Sequence, residues 1–364
     1  MADTRAATGL TVQQWDDKFF TEYFQDNRFS DEMGTNEMSV IQVKEDLSKK
    51  PGDSVTFALV NRLTDTATTG SDTLEGNEED VTSRSFRVYV DKRRHAVRIS
   101  EMQEQKSAIS LREAGRAVLM DWAQEDTKAL IIQAIESING VKYSSATEAQ
   151  KDAWLVDNVD RVLCGAVKSN TSSLDHSTSL ANIDNTSDKF TAAAVSLMKR
   201  MALAARTDSP KIRPVKDEGN GRRYYIIYAH PLCFRDLKND STITQAQREV
   251  QLQMENSRLF KGGDLLWDNC IIKEVDDMST LSGVGNGSID VGRAVLCGAQ
   301  ALAVAYCKRW RTRTKEFDYG DKFGVAVDGI YGVRKMIFGK GVGDTDDTID
   351  HGIVTGYFAA VADA

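Results

Sequence analysis

Apolar and polar positions alternate most clearly just after Gly52. The segment Val55-Thr-Phe-Ala-Leu-Val-Asn-Arg-Leu63 puts Val55, Phe57, Leu59 and Leu63 on one face and Thr56 and Arg62 on the other. A second run, Ser85-Phe-Arg-Val-Tyr-Val-Asp91, repeats the pattern with Phe86, Val88 and Val90. Between them lies a tip rich in Thr, Gly and acid, Thr64 to Ser83. The period of two predicts a long antiparallel hairpin. A two-stranded ribbon is marginal in water until its apolar face is covered. The expectation is that another chain supplies the cover, which points to a protein built for assembly.

A helical period follows at once. Ser110 with Glu113 three residues on forms a capping-box pattern. Leu111, Ala114, Val118, Trp122, Ala129 and Ile132 fall mostly three, four or seven apart; Ile135 and Ile138 continue the stripe until Asn139-Gly140. At ~1.5 Å rise per residue this helix is roughly 40 Å long, a strut. Near the N-terminus, Trp15, Phe19, Phe20, Tyr23 and Phe24 form an aromatic stripe at helical spacing. It either docks elsewhere or packs on itself.

Residues 141–188 are polar and rich in Ser and Thr. They read as an insertion with a short helix near Glu148–Val162, followed by an amphipathic helix over Asp188–Ala205. From Arg222 the pattern is mixed. Tyr224–Tyr228, Leu265–Trp267 and Ile271–Val275 read as strands, Phe234–Lys238 and Thr244–Leu252 as helices. Arg293–Cys307 reads as a strand and then a small-residue helix, Gly298–Ala305. From Phe317 to Phe338 the pattern is short strands, with Gly320, Gly324, Gly329 and Gly332 marking turns or bulges. There is no internal repeat.

Composition narrows the class. The 364 residues are 41% hydrophobic and 27% charged, with net charge −8, an ordinary globular balance that disfavours a dedicated nucleic-acid binder. No run approaches the ~18 apolar residues that span a bilayer, and the first residues lack an apolar signal core. Five scattered cysteines without a CxxC fit reduced, buried thiols. Charge is segregated on the hairpin. Asp65, Asp72, Glu75, Glu78, Glu79 and Asp80 occupy the tip with no Lys or Arg among them. Arg84, Arg87, Lys92, Arg93, Arg94 and Arg98 occupy the returning stem and the residues just after it. Complementary fields of this kind fix register and partner choice.

Candidate chemistry is sparse. His95, His176, His230 and His351 are far apart and match no metal-ligand spacing. Gly283–Gly287 is too short for a dinucleotide fingerprint, and Gly339-Lys-Gly-Val-Gly343 lacks the phosphate-loop spacing. Asp344, Asp346, Asp347 and Asp350 lack the Gly and Glu of a calcium loop. The basic run Lys308-Arg-Trp-Arg-Thr-Arg-Thr-Lys315 is the best nucleic-acid candidate, with Trp310 as a stacking ring. As a strand it puts Arg309, Arg311 and Arg313 on one face, which equally suits the acidic tip of a neighbouring copy.

Several blocks resemble a family. Glu316-Phe-Asp-Tyr-Gly-Asp-Lys-Phe-Gly-Val-Ala-Val-Asp-Gly-Ile-Tyr-Gly-Val-Arg-Lys-Met-Ile-Phe338 is similar to the closing motif of the tailed-phage major capsid proteins typified by coliphage N-four. Gly52–Leu63 with Gly70–Gly76 resembles that family's hairpin. Tyr225–Pro231, Gly262–Asn269 and Gly298–Ala301 resemble further blocks, in the same order over roughly residues 10–358. The basic run 308–315 and the 141–188 insert depart from the pattern.

The resemblance implies an α+β chain of the Hong Kong 97-type capsid fold. Its parts would be an N-terminal arm (1–45), an extended β-hairpin loop (46–101), a peripheral domain with a long spine helix and the polar insert (102–221), an axial domain (222–297), and a return to the peripheral domain with a C-terminal tail (298–364). It implies a structural protein with no cofactor, metal or catalytic residue. Copies would self-assemble into pentamers and hexamers of an icosahedral shell around double-stranded DNA, held without sequence specificity. Portal, scaffolding and decoration proteins are the implied companions, and the virion capsid, assembled in the host cytoplasm, the implied location. The expected subunit contacts are Trp15, Phe19 and Phe20 in the arm, Glu75, Glu78 and Glu79 at the tip, and Arg87, Arg93, Arg94, Arg309, Arg311 and Arg313 as bases. Two other readings stay open: a nanocompartment shell of the same fold enclosing protein cargo, and an intracellular enzyme with a Cys or His site.

Overall fold

The computed structural model describes residues 29–45, 52–61, 63, 65–70, 72–107, 109–204, 210–217, 221–250, 263–339 and 348–363. Two compact units divide the chain. The larger comprises Arg28–Asp91, Ala129–Cys307 and Tyr331–Ala364; the smaller comprises Met1–Asn27, Lys92–Lys128 and Lys308–Ile330.

The larger unit is built on a sheet whose strands run, in spatial order, Val162–Cys164, Ile353–Ala359, Val291–Cys297, Arg223–Ala229, Cys270–Glu274 and Leu265–Trp267, with Val215–Lys216 beside Arg223–Ala229. Its middle strands are continuous apolar runs, buried at every position of Val291–Cys297 and Ile353–Ala359, as expected of strands covered on both faces. One face packs on the helix Ala192–Leu203 through Phe190, Met198, Tyr225, Ile227, Leu296 and Val354. The other packs on the last turns of the long helix through Ile131, Ile132 and Ile135.

The long helix spans Leu111–Glu136, with the Ser110 hydroxyl accepting from the Glu113 amide at 3.5 Å. Asn139 and Gly140 follow in the left-handed region, which ends it as their identities suggest. The 141–188 segment is integral to the fold. Its helix Glu148–Asp157 opens with a full capping box at Thr147, and its strand Val162–Cys164 pairs in parallel with Thr355–Tyr357. The following helix starts at Ala192, later than the pattern predicts. Asp188 is buried and accepts from the Ala166 and Asp184 amides and the Asn170 side chain, which spends it on the preceding turns.

Two further expectations are corrected. Gly298–Ala305 is no helix: after Gln300, at φ 57°, the chain enters the strand Leu302–Phe317. Leu302 and Val304 face one core while Ala303 and Ala305 face another, a period of two that small side chains disguise. Of the late glycines only Gly320 lies in a turn. Gly324, Gly329 and Gly332 lie inside one strand, Lys322–Lys335, where a Cβ would stand 2.8 Å from the Phe317 ring, 3.0 Å from Trp310 and 2.0 Å from the Tyr89 carbonyl oxygen respectively.

The hairpin is present, with Ser54–Val60 antiparallel to Ser83–Tyr89 and Phe57 opposite Phe86. Its cover is not what the sequence suggested. Val55, Phe57, Phe86 and Val88 are buried against Ala303, Ala305, Met336, Ile337 and Phe338 of the same chain. Lys44 lies 4.6 Å above the Phe57 ring and donates to the Thr56 carbonyl oxygen, and buried Arg84 donates to that of Gly339. Ala303 and Ala305 are small enough to admit the stem, so one chain satisfies its own ribbon.

The described part of the first segment is likewise built in. Phe29 meets Tyr228 edge-on at 5.0 Å, Glu32 pairs with Lys273 at 2.5 Å, and Ile41–Lys44 runs parallel to Leu302–Ala305. Trp15, Phe19 and Phe20 lie outside the described residues.

The first part of the long helix packs by Leu119, Trp122 and Ala123 onto Val97, Trp310, Phe323, Val325 and Val327 from three strands. In the five-stranded sheet that holds them, Lys322–Lys335 lies between Leu302–Phe317 and Asp91–Ser100.

Candidate assembly surfaces

The distal hairpin of the larger unit leaves apolar and acidic groups together in solvent. Glu75 and Glu78 are exposed and Glu79 is half-buried. Two of these also close the tip. Glu78 Oε2 accepts from the Gly76 amide at 2.6 Å and Glu79 Oε2 from the Asp65 amide at 2.9 Å. The sequence reading missed the aliphatic groups among them. Val60, Leu63, Leu74 and Val81 are between 61% and 71% exposed. Leu63 belongs here rather than on the covered face, because strand pairing ends at Val60. The available signal was an apolar residue in a run of turn formers, with nothing in phase beside it.

The basic residues divide. Arg87 is exposed on the outer face of the stem. Arg93 forms a two-pronged ion pair with Asp126, its Nε at 2.5 Å from Oδ2. Arg311 grips Asp328 with two bonds, at 2.9 and 2.8 Å, and Arg313 adds a third at 3.0 Å. Those arginine hydrogen bonds, led by Arg311, hold the Asp328 carboxyl down at about 2. Arg94 and Arg309 are exposed.

Trp310 is not available as a stacking platform. Its Nε1 donates to the Thr127 hydroxyl at 3.2 Å, Trp122 meets it edge-on, and Gly329 lies against its ring. Glu75, Glu78, Arg87, Arg94 and Arg309 are thus displayed, Arg93, Arg311 and Arg313 are partly held by carboxylates of the chain, and the stem's apolar face is spent inside it.

Elsewhere the reactive groups are quiet. Burial pushes the thiols of Cys164 and Cys270 up to about 12, and raises Cys233 and Cys297 further. Such thiols stay protonated and unreactive. Burial holds His176 down at about 4, helped by Lys151 and Arg293, and His351 at about 4 as well. Among the described residues, Glu148, Asp152 and Asp175 are the carboxylates close enough to share an ion. Their oxygens are already engaged: Asp175 caps a helix at Thr178, Asp152 accepts from the His176 amide, and Glu148 pairs with Lys151. Asp344, Asp346, Asp347 and most of Gly339–Gly343 lie outside the described residues. No described helix is long and apolar enough to cross a membrane.

Comparison with known proteins agrees along the whole chain. A family model described as phage capsid protein matches residues 3–362. The major capsid protein of Pseudomonas phage KPP25 is 28% identical over 90% of this chain and 89% of its own. The capsid subunit of cyanophage Pam1 superposes with TM-score 0.85 at 29% identity, each chain covered completely. The capsid of Ralstonia phage GP4 (23% identity, TM-score 0.78, both chains covered completely) and the head of Helicobacter pylori bacteriophage KHP40 (15%, 0.67, covering 97% and 95%) share the fold. A match from end to end, on a mixed helix-and-sheet chain with a long helix and a long hairpin, places the chain among structural proteins rather than enzymes: it belongs to the phage capsid protein family, as a major capsid subunit of the Hong Kong 97-type fold.

Proposed function

We propose that copies of this chain assemble into pentamers and hexamers of a closed icosahedral shell that encloses double-stranded DNA without reading its sequence. The observation that carries this is the exposed hairpin tip, with aliphatic and acidic side chains together in solvent on a family member whose stem is already anchored. Exposed apolar groups rimmed by charge are what interaction surfaces offer. Subunits of a shell need interfaces on the order of 2,000–5,000 Å², and projecting tips and arms extend contact area without enlarging the core. The parts assigned to arm, extended loop, peripheral domain and axial domain keep the bounds that the resemblance implies.

Contacts are proposed at Trp15, Phe19 and Phe20, at Glu75, Glu78 and Glu79, and at Arg87, Arg94 and Arg309. Arg93, Arg311 and Arg313 present the outer side of guanidinium groups whose inner side is held within the chain. A net charge of −8 suits a container that confines DNA without gripping it. Assembly in the host cytoplasm, with portal, scaffolding and decoration proteins, belongs to the same proposal. Negative-stain microscopy of the purified chain tests it. Closed particles of uniform diameter are expected, and a chain that stays monomeric across concentration and salt sinks the proposal.

A further inference from the structure

Between the helix Ala192–Leu203 and the strand Arg223–Ala229, residues 210–217 and 221–223 form a ledge that the fold pins by its backbone. The Ile212 amide donates to the Ala202 carbonyl oxygen at 2.9 Å, the Tyr225 hydroxyl to that of Ile212 at 2.9 Å, and the Ala299 amide to that of Arg213 at 2.8 Å. Gly298 permits the approach, since a Cβ there would stand 2.5 Å from the Arg213 carbonyl oxygen. Ile212 and Val215 turn inward and are buried, which leaves Lys211, Arg213 and Lys216 exposed, with Arg222 and Arg223 exposed where the chain returns. Lys216 stands directly opposite Arg223 where the two strands pair. Like charges so opposed repel until counter-charge arrives. Glu37 lies 3.7 Å from Arg213, and Asp217 is buried. From Pro210 to Arg223 the chain has five bases against two acids, Asp217 and Glu218, so the ledge is locally cationic on a subunit whose net charge is −8.

We infer that this ledge is where each subunit touches the sugar–phosphate backbone of the enclosed duplex. The inference rests on the shell reading and names the surface that its DNA meets. Lysine and arginine heads on a fixed backbone form a phosphate-binding array: they neutralise charge, release counterions and read no sequence. The ledge has no apolar centre, because its two branched aliphatic side chains, Ile212 and Val215, face the core. Interfaces between proteins are built round such a centre, so the chemistry fits a polyanion better than a second protein. Lys216 and Arg223 gain most, since a phosphate between them replaces one repulsion with two charge-assisted attractions. A few contacts per copy hold the duplex loosely, and many copies together line the container.

Fluorescence anisotropy tests this, with a short labelled duplex of mixed sequence titrated with the full chain below its assembly threshold, across salt concentrations. Lys211→Gln with Lys216→Gln and Arg223→Gln is expected to weaken binding at low salt by ~10-fold or more. It should also make the dependence of log affinity on log salt shallower by ~3, about 0.9 for each lost phosphate contact. The control Lys106→Gln with Arg116→Gln and Lys142→Gln removes the same charge from other exposed positions and should bind within about twofold of the wild type. Lys216→Glu alone should hold or raise the melting temperature, by placing opposite charges across the strand pair, and still weaken binding. Two duplexes of unrelated sequence should bind alike.

A ledge variant that binds as the wild type does overturns the assignment, as does a control that loses as much, or a wild type that leaves the duplex unbound at low salt. So does a ledge variant that keeps its DNA affinity but loses self-association in sedimentation equilibrium, which gives the ledge to a second copy. A wild-type chain that forms no particle at any concentration counts against the shell reading itself. The titration, run on dispersed chains, then still decides the ledge by the same outcomes.

Discussion

The backbone amide of Asp65 donates to the carboxylate of Glu79 at 2.9 Å, tying the two ends of the acidic tip across 14 residues. A residue that the charge pattern marks as a lure is also a clasp. Replacing Glu79 with Ala should speed amide exchange at Asp65 about fivefold, for a hydrogen bond worth ~1 kcal/mol, while the melting temperature holds. Glu79→Gln, which keeps an acceptor oxygen, should exchange like the wild type. It follows that reversing Glu75, Glu78 and Glu79 together confounds tip geometry with docking, and that Glu75→Lys is the cleaner probe.

Asp328 has its folded pKa lowered to about 2, first by the Arg311 hydrogen bonds. A depressed carboxyl adds stability above its unfolded value near ~4 and loses it as pH falls toward the folded value. Its side-chain NMR signal should therefore stay that of a carboxylate down to about pH 3. Asp328→Asn should cost about 1 kcal/mol by urea denaturation, modest because the arginine ends reach solvent. It should also remove that part of the acid dependence.

Glu32 and Lys273 are almost wholly buried and 2.5 Å apart. Burial pushes the Glu32 carboxyl up, and the ammonium beside it opposes the shift. Removing Lys273 strands Glu32, whereas Lys273 keeps Asp264 at 3.9 Å. Lys273→Met alone should cost about 3 kcal/mol or more, and adding Glu32→Met should recover part of it, because the desolvation penalty leaves with the second charge. Equal and additive losses in a double-mutant cycle would argue that the two are not coupled.

Gly332→Ala should be among the most damaging single-methyl additions. Its Cβ would meet the Tyr89 carbonyl oxygen at 2.0 Å, and backbone cannot swing aside. A loss of ~2 kcal/mol or insoluble expression is expected. Gly76→Ala, with open space around it but φ at +91°, should cost only about 1 kcal/mol of backbone strain.

His176 is held neutral, its pKa lowered from 6.5 to about 4 by burial first and by Lys151 and Arg293 second. The unfolded chain binds that proton more readily, so stability falls as pH drops from 6.5 toward 4 and levels off below. The melting temperature of the wild type should decline over this window. His176→Phe, which suits the ring environment of Tyr143, Trp154 and Tyr357, should make the decline shallower, with the share of His351, lowered to about 4 as well, remaining.

Local pattern alone determined much of this protein. A ribbon of period two at Val55–Leu59 and Phe86–Val90, a capped helix from Leu111, and the strands at Tyr224–Tyr228 and Leu265–Trp267 could be read directly. Each depends on neighbours within a few residues: side-chain phase, a cap, a left-handed stop at Asn139-Gly140. The blocks that resemble the capsid family gave the fold class for the same reason, since they are ordered strings of residues.

What lay beyond reach was which surfaces each element would meet. Ala303 and Ala305 read as helix because small residues carry little phase, and only the stem lying over them shows why they are small. Gly324, Gly329 and Gly332 read as turns because a glycine that makes room for a distant ring or carbonyl looks like one that bends the chain. Asp328, Asp126 and Glu79 were invisible as partners, being many residues from the groups they hold. Contacts between distant parts depend on how strands and helices stack, and that arrangement, settled by burying apolar area across the whole molecule, decided which charges were spent inside the chain and which were left facing outward.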